Sequence, residues 1–288
     1  MNTLPPETKM GLVALTVSDL DRSLRFYINT LGFRLIQHDD RSALLGAGGE
    51  ALLDLVELPG ARPKPPRATG LYHFAILLPS RQDLARSLRH LAEARWPLQG
   101  AADHLVSEAL YLADPDGNGI EIYRDRPRAE WPTRAGQVQM ATDPLDVDGV
   151  LGELAQDGRP WEGLPAGTTI GHVHLHVADL RQTEDFYCGV LGFDVTQRGY
   201  PGALFVSAGG YHHHLGLNVW AGTGAPPQPS GTAGLRHYSI VLPDSSSLAS
   251  LLDRLSEARI PVEPFDDGWL LRDPSQNGLW LAAAGGSV

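Results

Sequence analysis

His104, Tyr111 and Glu121 fall in one stretch, HLVSEALYLADPDGNGIE, which offers an imidazole, a phenol and a carboxylate to the same short β-rich region. Two kinds of chemistry use such groups. Two imidazoles and a carboxylate on one face can hold a divalent metal and leave its other positions open to reactants. An imidazole also titrates near neutrality, so it can carry a proton to or from a reacting oxygen. A second run, YHHHLGLNVW from Tyr211 to Trp220, adds His212, His213 and His214 as candidate proton carriers. If that run is a regular strand, His213 shares a face with Leu215, Leu217 and Val219, and His212 and His214 take the other.

The elements that must position these groups are written into the chain twice. VALTVSDLDRSLRFYINTLGFRL from Val13 returns as VHLHVADLRQTEDFYCGVLGFDV from Val173. LYHFAILLPSRQDLARSLRHLAEARWP from Leu71 returns as LRHYSIVLPDSSSLASLLDRLSEARIP from Leu235, and DPDGNGIE (Asp114 to Glu121) returns as DPSQNGLW (Asp273 to Trp280). Such self-similarity decides the architecture before any local reading. Each module divides again into two quarters that open on an alternating apolar strand, pass an Asp or Ser, and enter an amphipathic helix. In the first quarter Leu24, Tyr27 and Leu31 recur at helical spacing after Asp19, a residue suited to an N-cap. Gly32 or Gly192 then stops the helix, and short β-rich runs bounded by Gly, Pro and Asp follow. The fold class is α+β, four tandem β-α-β-β-β units.

The expected modules are residues 9–125 and 170–285, each of ordinary domain size within a chain of 288 residues. Residues 126–169 read as a linker rich in Pro, Gly and charge, with a small helix around Leu145, Val150, Leu151 and Leu154. A net charge of −11 without a Lys/Arg cluster argues against nucleic acid as a partner. No apolar run approaches a membrane span, and the single cysteine, Cys188, reads as a packed residue, so a reduced cytoplasm is the expected compartment. His38 and His90 read as surface residues. Any one strand histidine is more often a packed residue than a ligand, but His73, His104, Tyr111 and Glu121 occur together in one quarter. Their counterparts in the last quarter are His237, approximately Gly268, Leu270 and Trp280.

The stretch from His104 resembles the iron-binding signature of extradiol ring-cleaving dioxygenases. That signature is a His, an apolar residue before Tyr, an Asp-Pro turn with Gly, and then Glu, filled here by His104, Leu110, Tyr111, Asp114, Pro115, Gly117 and Glu121. It departs at Ala102, where the family carries another small or β-branched residue. With the FY…LGF phrase, the four units resemble the vicinal oxygen chelate (glyoxalase/bleomycin resistance/extradiol dioxygenase) superfamily, and the likeness covers nearly the whole chain. It implies paired units curled into half-barrels around a metal, with ligands from the first strand of one quarter and the first and last strands of another. Those slots hold Leu12, His73 and Glu121 in the first module and His172, His237 and Trp280 in the second. Neither set is complete, because Leu12 has no lone pair and Trp280 offers only an N–H. The complete set is His73, Glu121 and His172, assembled across modules as glyoxalase I and the fosfomycin-resistance enzymes do across subunits. Leu12, His237 and Trp280 would form a decayed counterpart.

The implied activity is that of a catechol 2,3-dioxygenase, which opens a catechol beside the diol with O2 at non-haem Fe(II), with Mn(II) or another divalent metal as the alternative. Such enzymes serve aromatic hydrocarbon catabolism, and a homo-oligomer is possible. His104 and Tyr111 match the family's His and Tyr beside the substrate oxygens. The family register selects His213 as the active-site base, with His214 second, whereas strand alternation leaves that choice open. His174 and His176 share the face of His172 if their strand is regular. Trp220, Phe205 and Phe74 are candidates to shape the pocket. The rival readings are a glyoxalase-like or thiol-transferase metalloenzyme of the same superfamily, and a binding protein without catalysis.

Overall fold

The repeated phrases become repeated elements in the computed structural model of the chain, which describes residues 3–134, 136–157 and 159–285. Asp19 accepts a hydrogen bond from the Arg22 amide at 2.8 Å, and Asp179 does the same for Gln182, so each caps the helix that follows. Each of these helices, Leu20–Leu24 and Leu180–Glu184, widens into a π-helical turn, Arg25–Thr30 or Asp185–Leu191. Gly32 and Gly192 end them at φ of +83° and +92°, a left-handed conformation that costs glycine little. The longer helices Arg81–Glu93 and Ser245–Glu257 start from Ser80 and Asp244.

The FY phrase and the Asp-Pro turn serve assembly. The Tyr27 hydroxyl donates to Asp114 Oδ2 at 2.9 Å, and Tyr187 donates to Asp273 Oδ2 at 3.0 Å. Asp114 also accepts from the amides of Asp116 and Asn118, so one buried carboxylate ties the first helix of the module to a turn of its second quarter. Being saturated, it has no lone pair to lend to chemistry.

Among the described residues the principal strands form two curled mixed sheets, each drawn from both modules. One runs Glu263–Phe265, Gly268–Arg272, Gly278–Ala283, Gly234–Leu242, Lys9–Val17, Glu50–Glu57, Ser42–Ala47, Arg34–Asp39. The other runs Asp143–Pro144, Gly100–Asp103, Ser107–Ala113, Gly119–Asp125, Gly70–Leu77, Thr169–His176, Leu215–Asn218, Ala203–Ser207, Asp194–Gln197. Quarter one therefore pairs with quarter four, and quarter two with quarter three, through antiparallel seams between their first strands. Those strands carry fully buried Val13, Leu15, Phe74, Ile76, Val173 and Leu175, and the seams prevent them from becoming exposed apolar edges.

The short helix Val147–Gly152 lies against Arg81–Glu93, where Arg81 donates to the Gly149 carbonyl at 3.1 Å and to Glu153 at 3.0 Å. Arg81 also binds Glu108, which is buried and takes a second guanidinium from Arg124 at 2.7 Å. Burial pushes the Glu108 carboxyl up, but Arg81 and Arg124 outweigh it and hold the group below the usual carboxylate range. Glu108→Gln removes the carboxylate that both arginines share, leaving Glu153 to Arg81 and stripping Arg124 of the charge it binds. It is expected to lower the unfolding free energy by about 3 kcal/mol, the low end for a broken buried pair because Arg81 stays partly in water. Urea unfolding measures this, and a loss below about 1 kcal/mol would show that the cluster is solvated.

No helix among the described residues is long and apolar enough to cross a membrane. Burial, and then the nearby Glu184, push the Cys188 thiol up to about 12, so it packs rather than reacts.

Candidate metal centre

The seam between quarters two and three brings three strands side by side. Ala75 pairs with Glu121 of Gly119–Asp125 on one side and with His172 of Thr169–His176 on the other. Its small side chain leaves the space above the strand to the two larger ones. One step along the same face, His73 pairs with Gly119 and His174. A register shift between Ile170 and His172 aims the imidazole inward. Gly171 sits at that shift because a Cβ there would lie 1.8 Å from the Tyr123 hydroxyl, so only glycine lets the strands approach.

His73 Nε2 and His172 Nε2 each lie 3.1 Å from Glu121 Oε2, and one donor atom from each residue lies within 4.8 Å of the others. All three residues are buried. Despite its nearness to the carboxylate, His73 Nε2 is not aligned for a hydrogen bond and has no partner. A buried lone pair without a partner is costly in a protein interior, and a cation at the focus of the three donors would satisfy it. Burial raises the Glu121 carboxyl, but His172 and His73 more than offset this and hold it well below the ordinary range. Burial lowers His73, which keeps its imidazole neutral. Two imidazoles and one ionised carboxylate are a donor set that fits a divalent metal with open positions.

Beside the three donors is a cavity of about 330 Å³. Tyr111 and His104 stand on one wall, with the Tyr111 hydroxyl 2.6 Å from His104 Nε2. His104 Nδ1 lies 2.6 Å from the Ala141 carbonyl. A carbonyl can only accept, so Nδ1 carries a proton, and with that one proton on the ring Nε2 accepts from Tyr111. Burial, then the charge of Glu121, push the Tyr111 hydroxyl well above the usual phenol range, so it remains a proton donor.

His213 also lines the cavity, its ring centroid 4.1 Å from that of His172. Burial comes first among the causes that hold its imidazole well below the ordinary range, followed by His172 and His212. The strand alternation expected for this run does not apply, because the strand begins only at Leu215. In the irregular segment before it, His212 Nδ1 and His213 Nδ1 of adjacent residues meet at 2.8 Å, which a regular strand forbids. His214 is outside the cavity wall, and its Nδ1 accepts from the Ala208 amide at 3.1 Å. His174 lines the cavity, whereas His176 bonds Asn218 Oδ1 at 2.8 Å. Trp220 and Phe205 line the cavity, and Phe74 belongs to the core.

The complementary slots take another course. Trp280 Nε1 donates to the Phe265 carbonyl at 3.0 Å, and His237 packs on the Phe265 ring. Burial and Arg236 lower His237 to about 4. Among the described residues, three metal-ligating groups converge at His73, Glu121 and His172, not here. Sequence reasoning missed Asp125 and Tyr211, which meet His212 behind the cavity. The available signal was alternation: Glu121, Tyr123 and Asp125 sit two residues apart, on one face of one strand.

Comparison with known proteins bears on the family and the fold. The family model described as Glyoxalase/Bleomycin resistance protein/Dioxygenase superfamily matches residues 9–122 and 169–280. A Bacillus subtilis (strain 168) protein named catechol-2,3-dioxygenase is 47% identical over 279 residues, covering 95% of this chain and 96% of that protein. Among solved structures, a candidate dioxygenase from Bacillus subtilis subsp. subtilis str. 168 superposes with a TM-score of 0.69 at 14% identity, covering 99% of this chain and 87% of that one. Glyoxalase I from Zea mays superposes with a TM-score of 0.57 at 18% identity, covering 96% and 92%. At these identities the two structures speak for the fold alone.

Proposed function

The chain belongs to the glyoxalase/bleomycin resistance protein/dioxygenase superfamily, and on that footing we propose that it is an extradiol dioxygenase, opening a catechol with O2 at Fe(II) held by His73, His172 and Glu121. The observation that carries this reading is the convergence of those three donors beside a cavity that also presents Tyr111, backed by His104, and His213. The name of the relative that matches 95% of the chain supports it. Fe(II) bound there would supply open positions for both catechol oxygens and O2, and a route for electrons between them.

The protein's own groups do the rest. His213, neutral in the resting site and held at Nδ1 by His212, has its other nitrogen to accept a proton from a catechol hydroxyl. With its proton turned to His104, the Tyr111 oxygen presents its lone pairs to the cavity, where they can accept from a catechol hydroxyl. Phe205, Leu112 and Ile120 give the ring an apolar wall and keep water from it. Tyr111→Phe removes the hydroxyl and little volume. It is expected to keep the metal while lowering turnover by ~10²-fold, the low end for a positioned group in a proton transfer. Unchanged turnover would take the tyrosine out of the chemistry.

Among the described residues no lysine or arginine lines the cavity. A carboxylate carried in on the ring would be buried without a counter-charge, which costs several kcal/mol. 4-Methylcatechol is therefore expected to exceed 3,4-dihydroxybenzoate in kcat/KM by ~10²-fold or more. Equal values would place the substituent in open water.

The decisive experiment loads the chain with Fe(II) without oxygen and then follows O2 uptake and ring-opened product over a panel of catechols. Stoichiometric O2 consumption with ring opening is expected. Iron-replete protein that opens none of the catechols would overturn the reading.

A further inference from the structure

Behind His213, on the side away from the cavity, runs a chain of hydrogen bonds that crosses between the modules. His212 Nε2 lies 2.9 Å from Asp125 Oδ1, and His212 Nδ1 lies 2.8 Å from His213 Nδ1. The other carboxylate oxygen, Asp125 Oδ2, accepts from the Tyr211 hydroxyl at 2.9 Å, and Tyr211 meets the Tyr123 hydroxyl at 2.7 Å. His212 is fully buried, with its ring against Trp131. We propose that Asp125 and His212 are positioning residues that fix His213 with its proton on Nδ1 and its bare Nε2 toward the cavity.

The assignment follows from what each atom can do. An ionised carboxylate only accepts, so His212 must carry its proton on Nε2. With one proton on the ring, His212 has its lone pair on Nδ1, and the 2.8 Å contact is then a hydrogen bond only if His213 supplies the proton from its own Nδ1. That leaves Nε2 of His213 as an acceptor at the cavity wall. With the tautomers reversed, His213 would present an N–H to the substrate and could not take its proton. Asp125 and His212 touch no substrate. They act through His213, by ring orientation and tautomer, as a buried carboxylate orients a catalytic imidazole in other enzymes.

This rests on the dioxygenase reading only for the use made of His213; the tautomer follows from the hydrogen bonds with Asp125 ionised and one proton on each ring. The test is nitrogen-15 NMR of histidine-labelled full-length protein loaded with Zn(II), a diamagnetic probe. His213 is expected to be protonated at Nδ1 and bare at Nε2, and His212 the reverse. Asp125→Leu is expected to release this order, so that His213 also populates the Nε2–H form. In the Fe(II) protein it should lower kcat by ~10²-fold with KM and iron content unchanged, and Asp125→Glu should restore part of the loss.

A His213 that carries its proton on Nε2 in the unsubstituted protein overturns the proposal, even if no variant folds. So does an Asp125→Leu protein with unchanged tautomers and kcat. Should the unsubstituted iron protein open no catechol, the dioxygenase reading fails while the NMR still decides the tautomer.

Discussion

Alanine at His172 is expected to remove both stoichiometric metal and turnover, although every other ligating group belongs to the first module. His73 and Glu121 would keep their places on adjoining strands, but two donors hold a divalent ion far more weakly than three. Since changing even an outer partner of a ligand costs about 10–100-fold in affinity, losing a ligand should exceed ~10²-fold. Metal titration under anaerobic conditions reads the loss directly. His237→Ala is the control, since its ring packs on Phe265 and, among the described residues, no set of three metal-ligating groups converges there. Full metal retention by His172→Ala, or metal loss by His237→Ala, would mean that the quarters contributing ligands have been wrongly paired.

Glutamine at His213 is expected to lower kcat by ~10³-fold while metal content stays near that of the unsubstituted protein, within the range for loss of a positioned general base. The same change at His214 should cost little catalysis. Its Nδ1 is occupied by the Ala208 amide, and it takes no part in the cavity wall, so the loss there is local packing. Steady-state kinetics with metal analysis of the same samples separates the two. A larger kcat loss at His214 than at His213 would reverse the assignment of the base.

The contrast between these neighbours shows where sequence reasoning stopped. The run YHHHLGLNVW is rich enough in imidazole to mark a functional place, but its orientation rule assumes a regular strand. The strand starts at Leu215, and the histidines before it lie in irregular chain held by contacts to other elements. Asp125 was passed over for the same kind of reason. Alternation puts it on the face of Glu121, but its partner His212 is 87 residues away, and nothing in the chain near Asp125 says what it meets.

By itself, the sequence determined the four β-α-β-β-β units and their turns, because caps, helical periodicity and left-handed glycines act between residues a few positions apart. Asp19 and Gly32 bracket their helix whatever the rest of the molecule does. It also determined which donor atoms were available, since Leu12 and Trp280 cannot hold a metal in any arrangement. Only the tertiary structure decided which quarters share a sheet. The first strands of the four quarters are similar alternating apolar segments, so local preference hardly distinguishes one pairing from another. The choice falls to burial of those strands along two antiparallel seams and to fit at single positions, such as Gly171 beneath the Tyr123 hydroxyl and Ala75 between Glu121 and His172. That pairing makes three separated residues into one group of ligands.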